Sequence, residues 1–196
     1  MNHFDVFGLE RRLRIDLELL QRRFHELSRR HHPDFHQGAA PAEQAQALET
    51  SALVNAAYRT LRDPIARVDY LVRLEEGRET REGATVKPTA PPALLQEMFE
   101  IQEALQEAKA GGLGASDREA LAAQRERLLV RSRDEEARLT GPLSEAWDNG
   151  APDEHARLLG ELKEGLATLA YLKTAIDDLG AVLDGDQETH VTHRRH

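Results

Sequence analysis

Apolar positions along this chain recur at helical steps. Leu20, Phe24, Leu27 and His31 step by four, three and four, which puts them on one helical face. Asp16 ahead of them is a good N-cap, with Ile15 and Leu20 at the two positions of a hydrophobic staple. Pro33 disfavours helix for the residue before it, so this first long helix is expected to stop at about His32. A second helix is predicted over residues 42–62, started by Pro41, with Val54, Tyr58 and Leu61 on one face and Leu48 and Ser51 upstream. Asp63-Pro64 then offers an N-cap followed by proline at the first helical position. Ile65, Val68, Leu71 and Val72 mark the buried side of that helix, and Gly77 ends it. Ahead of all three, Phe4, Val6, Phe7 and Leu9 form an apolar cluster broken at Gly8, too short for a stable helix alone.

The periodicity lapses between Gly77 and Pro92, where Arg, Glu, Gly, Thr and Pro dominate, and this reads as a linker with a stiff end. It returns at Pro92. Leu94, Met98, Ile101, Leu105 and Ala108 step by four, three, four and three, a bundle seam that runs until Gly111-Gly112. Ser116 to Glu119 has the form of a capping box and opens a helix with Leu121, Leu128, Leu129 and Leu139, which Gly141-Pro142 must kink or break. Trp147 is expected near that corner. A last seam runs through Leu159, Leu162, Leu166, Leu169, Ile176, Leu179 and Leu183. From Gly185 there is no apolar pattern, and the histidines at 190, 193 and 196 read as part of a solvated tail. The expected organisation is therefore an N-terminal helical domain over 1–76, a linker over 77–91, a three-helix antiparallel bundle over 92–184 and a disordered tail over 185–196. The predicted fold class is all-α.

Composition agrees with this pattern. Charged residues make up 31% and aromatics 5%, so Leu and Ala must fill the cores and the helices should be long. The net charge of −9 is unevenly spread. Residues 1–76 carry 11 Lys and Arg against 12 Asp and Glu, and residues 77–196 carry 15 against 23. An acidic second half argues against nucleic acid as a partner, which needs a basic footprint. With no cysteine, disulfides, thiolate metal sites and cysteine nucleophiles are all excluded. No apolar run approaches the ~20 residues that span a bilayer, and the first residues lack the form of a secretion signal. No membrane partner and a cytoplasmic location are the expectations.

Enzyme motifs are missing. Glycines 111, 112 and 114 form a turn with no Lys-Ser/Thr after them, so no phosphate loop is expected. His31, His32, Asp34 and His36 contain a metal-ligand set by type. Adjacent histidines at a helix end point in different directions, however, and His31 belongs to the apolar stripe, so neither a metal nor any other cofactor is expected. Two other features stand out. Arg22, Arg23, Arg29 and Arg30 occupy one face of the first long helix, which leads into the loop with His32, Pro33 and Asp34. In the bundle, Leu95 and Phe99 lie off the seam by about 100°, with Gln96, Glu100, Glu103 and Glu107 on that second side. An apolar pair ringed by carboxylates suits a basic, partly apolar partner. Tyr171 on the last helix also sits off its seam.

His32-Pro33-Asp34, in the loop of a helix pair whose first helix is basic, resembles the signature of a J domain. Asn55 to Pro64 (NAAYRTLRDP) strengthens the likeness. Phe4-Asp5-Val6-Phe7-Gly8-Leu9 and Arg67-Val68-Asp69-Tyr70-Leu71 narrow it to the HscB-type co-chaperones of iron–sulfur cluster biogenesis, which the bundle also resembles in length and layout. That resemblance implies an L-shaped molecule that is not itself an enzyme. It implies that the J domain delivers an IscU-type scaffold to a DnaK-type chaperone, HscA, and stimulates its ATPase. It implies chaperone contacts at His32, Pro33, Asp34, Arg22, Arg23, Arg29 and Arg30. Scaffold contacts are implied at Leu95, Gln96, Phe99, Glu100, Glu103, Glu107 and Tyr171. The chain departs from the family in several respects: Phe35 stands where Lys or Arg often follows the tripeptide, Gln96 stands where an apolar contact is common, the linker is longer and richer in proline, and the zinc-binding cysteine extension of some eukaryotic members is absent. Other readings of the same residues are a J protein with a different client, a helical adaptor, or a metal enzyme using the histidines.

Overall fold

The computed structural model describes residues 1–36, 38, 40–77, 92–112 and 114–193. Among these there are eight α-helices and no strand: α1 (His3–Val6), α2 (Leu17–Arg30), α3 (Pro41–Arg62), α4 (Pro64–Glu75), α5 (Pro92–Gly111), α6 (Ala115–Arg138), α7 (Ser144–Asn149) and α8 (His155–His193). A 3-10 turn, Pro33–His36, follows α2, and a π-helical turn, Leu139–Leu143, joins α6 to α7. The fold is all-α. No helix among the described residues is long and apolar enough to cross a membrane. The chain forms two compact units, Met1–Ala84 with Thr140–Leu159, and Thr85–Leu139 with Gly160–His196.

In the first unit the helix limits follow from capping chemistry. Asp16 accepts the Leu19 N–H at 2.9 Å to start α2, and Asp63 accepts the Ala66 N–H at 2.8 Å to start α4, with Pro64 first in the helix. The N-terminal cluster becomes the single turn α1 because Asn2 and Asp5 cap each other reciprocally. Phe4 and Phe7 are buried, and Phe4 lies against Tyr70 of α4. On α3 the buried column is Ala47, Val54 and Leu61, a heptad apart, with Ala57. Leu48, expected on that face, is 60% exposed instead. One residue further on is about 100° around the helix, and the small Ala47 takes the inward position.

Residues 140–159 pack with this unit. Gly141-Pro142 does break the helix, as the π-helical turn, because proline lacks the N–H an α-helix needs there. Trp147 is buried and stacks on His155 at 4.5 Å.

In the second unit Leu94, Ile101 and Leu105 of α5 pack with Leu121 and Leu128 of α6 and with Leu172, Ile176 and Leu179 of α8. The seam on α5 is as expected, while Ala108 lies outside the described side chains. The N-cap of α6 is Gly114, two residues before the expected Ser116, and the helix starts at Ala115. Asp117, rather than Glu119, is then the acid at the third position, and its carboxylate lies beside Gly114. The backbone of α8 continues through residues 185–193, where the apolar pattern predicts no helix. Extending an existing helix avoids the unfavourable nucleation step, so it needs no apolar face of its own.

Candidate functional site

Helix α2 ends where the sequence requires. The His31 N–H closes the last turn on Leu27 O at 3.0 Å, and His31 is half-buried at the edge of the apolar stripe. The chain then turns through Pro33–His36, with the Phe35 N–H donated to His32 O at 3.0 Å. His32 and Asp34 both stand exposed, and they touch. The Asp34 N–H donates to His32 Nδ1 at 3.3 Å, and Nδ1 lies 3.5 Å from the Asp34 carboxylate. The two residues therefore form one small polar unit on the surface at the end of a basic helix. Among the described residues no three His, Asp or Glu side chains are gathered as a metal would require.

The four arginines of α2 divide. Arg22, Arg29 and Arg30 are exposed and line a shallow depression with His25 and Glu26. Arg23 turns the other way. Its guanidinium Nη1 donates to Phe7 O and, at 2.7 Å, to Gly8 O. Gly8 has φ +57°, a conformation that suits glycine, and a Cβ there would sit 3.2 Å from the same Nη1. Arg23 thus fastens the α1 turn to α2, and the open cationic surface is Arg22, Arg29 and Arg30.

On the bundle, Leu95 is 43% and Phe99 65% exposed, so this pair does not widen the core. Gln96 donates to Glu100 at 3.1 Å, and Glu100, Glu103 and Glu107 are exposed. Tyr171 packs half-buried against the core. Contacts fix how α5 and α8 align. Arg118 near the start of α6 bonds Leu183 O late in α8, and Gly165 early in α8 lies against Arg138 and Leu139. Helix α6 is therefore antiparallel to α8. It is also antiparallel to α5, since a short turn joins them and Arg131 pairs with Glu97 at 2.5 Å. Hence α5 and α8 run parallel, in a register set by Gln102 Nε2 donating to Asp178 Oδ2 at 2.9 Å. Seven residues earlier on each helix, two turns back, are Leu95 and Tyr171. The structure brings these two to the same level along the bundle.

The sequence reading missed two residues that hold the first unit together. Arg67 of α4 is only 7% exposed; its Nε donates to Leu13 O at 2.7 Å and its Nη1 to Leu61 O. Burial pushes the Arg67 guanidinium down from its usual range, and the nearby Asp63 and Asp148 carboxylates push it back up. Asp148 of α7 has its side chain almost wholly buried and accepts two backbone N–H groups, Leu13 at 2.7 Å and Arg14 at 2.8 Å, with Arg12 Nε at 3.8 Å. The signal for Arg67 was its place in α4, beside Val68 on the side that packs inward. Nothing in the pattern of residues 142–150 marks Asp148.

No protein-family model matches the chain. Among solved structures it is similar to the chaperone HscB from Vibrio cholerae, with 26% identity and a TM-score of 0.61 over 94% of this chain and 99% of that one. It is also similar to the human co-chaperone protein HscB, with 25% identity and a TM-score of 0.60 over 92% of this chain and 81% of that one.

Proposed function

From the premise that the chain has an HscB-type fold, we propose that it is a J-type co-chaperone of iron–sulfur cluster assembly. It binds an IscU-type scaffold and delivers it to a DnaK-type chaperone of the HscA kind, whose ATPase it stimulates. The observation that carries this reading is the exposed His32–Asp34 unit at the end of the basic helix α2, on that fold.

The chain's own part is binding and positioning, with no covalent step. Arg22, Arg29 and Arg30 give the approach of an acidic chaperone surface an electrostatic component that salt weakens. The Asp34 carboxylate, 70% exposed, is free to accept a charge-assisted hydrogen bond from a cation on the chaperone. Pro33 limits the backbone ahead of it. A partner that binds one chaperone state better than the other shifts that equilibrium, which is how such contacts stimulate hydrolysis at a distance. The scaffold docks on Leu95 and Phe99 with Tyr171 at their level, where Glu100, Glu103 and Glu107 complement a basic rim. Gln96 is held by Glu100 and takes part at the edge. Tethering the two binding surfaces in one chain raises the local concentration of scaffold at the chaperone.

Asp34→Asn tests the division of labour. It should abolish ATPase stimulation and leave scaffold affinity, measured by calorimetry, unchanged. Loss of both activities in a folded variant would contradict separate sites.

A further inference from the structure

Phe35 is 72% exposed in the turn after the tripeptide position, and the fold gains little burial from it. What it does touch is His32. The two rings meet edge to face, with centroids 6.0 Å apart and planes at 69°, a geometry in which aromatic rings attract. The backbone arranges the meeting, since the Phe35 N–H closes the turn on His32 O at 3.0 Å. A second contact holds the imidazole elsewhere on the ring, where Nδ1 takes the Asp34 N–H at 3.3 Å. The Asp34 carboxylate also lies 3.5 Å from Nδ1, a separation too long for a good hydrogen bond, so the Asp34 N–H is the closer partner; a ring nitrogen that accepts it carries no proton, which puts the proton of neutral His32 on Nε2. The His32 side chain is 53% exposed, so the imidazole is open to a partner.

We propose that Phe35 is a positioning residue for His32: its ring and the Asp34 N–H together fix the imidazole so that Nε2–H is presented to the chaperone. The inference rests on reading this loop as the chaperone contact. A lysine or arginine at position 35 has no aromatic ring and could not order the imidazole in this way. This chain therefore replaces a charge beside the tripeptide with a side chain that orients its first member.

The test uses the full chain with Phe35→Leu, which keeps an apolar side chain, and Phe35→Tyr, which keeps the ring. Long-range proton–nitrogen NMR spectra read the His32 tautomer, and chaperone ATPase assays read stimulation. Wild type should favour the Nε2–H tautomer and show cross-peaks between the two rings. Phe35→Leu should lower both the tautomer bias and the maximal stimulation, by about twofold to about tenfold as expected for losing one aromatic pair. Phe35→Tyr should restore both. Stimulation that falls with no change of tautomer would mean that Phe35 touches the chaperone directly, and would overturn the proposal. An unchanged tautomer and unchanged stimulation in Phe35→Leu would overturn it as well. The tautomer measurement needs no chaperone. A wild-type chain that shows the bias but stimulates no DnaK-type chaperone therefore overturns the functional reading, whereas one that lacks the bias overturns the role of Phe35.

Discussion

Asp148→Ala is the substitution that should damage the first unit most for its size. The carboxylate is almost fully buried and accepts two successive backbone N–H groups, at 2.7 Å from Leu13 and 2.8 Å from Arg14. Removing it takes the protein acceptor from both donors. Leaving a buried donor unsatisfied costs about 1–3 kcal/mol. The Leu13 N–H, beside a side chain only 2% exposed, should suffer most of that. The Arg14 bond is exposed, so water replaces the carboxylate there and the loss is nearer ~0.5–1 kcal/mol. Arg67 loses one of the two carboxylates that offset its burial. The total is about 2–4 kcal/mol. In a chain of this size each kcal/mol moves the melting midpoint by about 2–4 °C, so a drop of roughly 4–16 °C is expected. Thermal and denaturant unfolding followed by circular dichroism would measure it. Glu145→Ala is the control. Its ion pair with Arg14, at 3.0 Å, is 58% exposed on each side and should contribute less than about 1 kcal/mol. An Asp148→Ala variant no less stable than Glu145→Ala would show that the buried carboxylate does not hold this unit together. A fragment ending before residue 140 lacks the same acceptor and should be destabilised in the same way.

Two further outcomes follow from the same geometry. Leu95→Ala combined with Phe99→Ala should weaken scaffold binding by about 2–4 kcal/mol, as truncated anchors do, with little change in melting because both side chains are exposed; unchanged affinity in calorimetry would remove this face from the binding surface. His3 stacks on Tyr70 at 4.2 Å, and burial, with Arg73 nearby, lowers its pKa below the ordinary 6.5. The unfolded chain therefore binds a proton at His3 more readily than the folded one, so stability should fall as pH drops below about 6.5 and level off above it. His3→Phe, which keeps the stack, should be less sensitive to pH in that window, and parallel stability–pH curves for the two proteins would contradict this.

Much of the helical layout was legible because each start and stop had a local cause. Asp16, Asp63-Pro64 and the α5 seam act within one turn of the chain, and periodicity reports such causes directly. The exposed pair Leu95 and Phe99 was legible for the same reason, as a second face on one helix. Leu48 and Ala47 were harder to separate, since alanine carries little hydrophobic signal and one step decides which of the two turns inward. The roles of Arg23, Arg67 and Asp148 were not legible. Each binds backbone carbonyls or N–H groups, which every residue type possesses, so the sequence holds no mark of the partner. For Asp148 that partner is 135 residues away. In an arginine-bearing face the charge is visible but not which guanidinium is used internally.

In the proposed function one chain couples a scaffold to a chaperone through two surfaces. The direct measurement is the ATPase rate of a DnaK-type chaperone of the HscA kind, titrated with this protein in the absence and presence of an IscU-type scaffold. Stimulation by the protein alone, a larger effect when scaffold is present, and loss of both with Asp34→Asn are expected. A rate unmoved by the wild-type protein under either condition would contradict it.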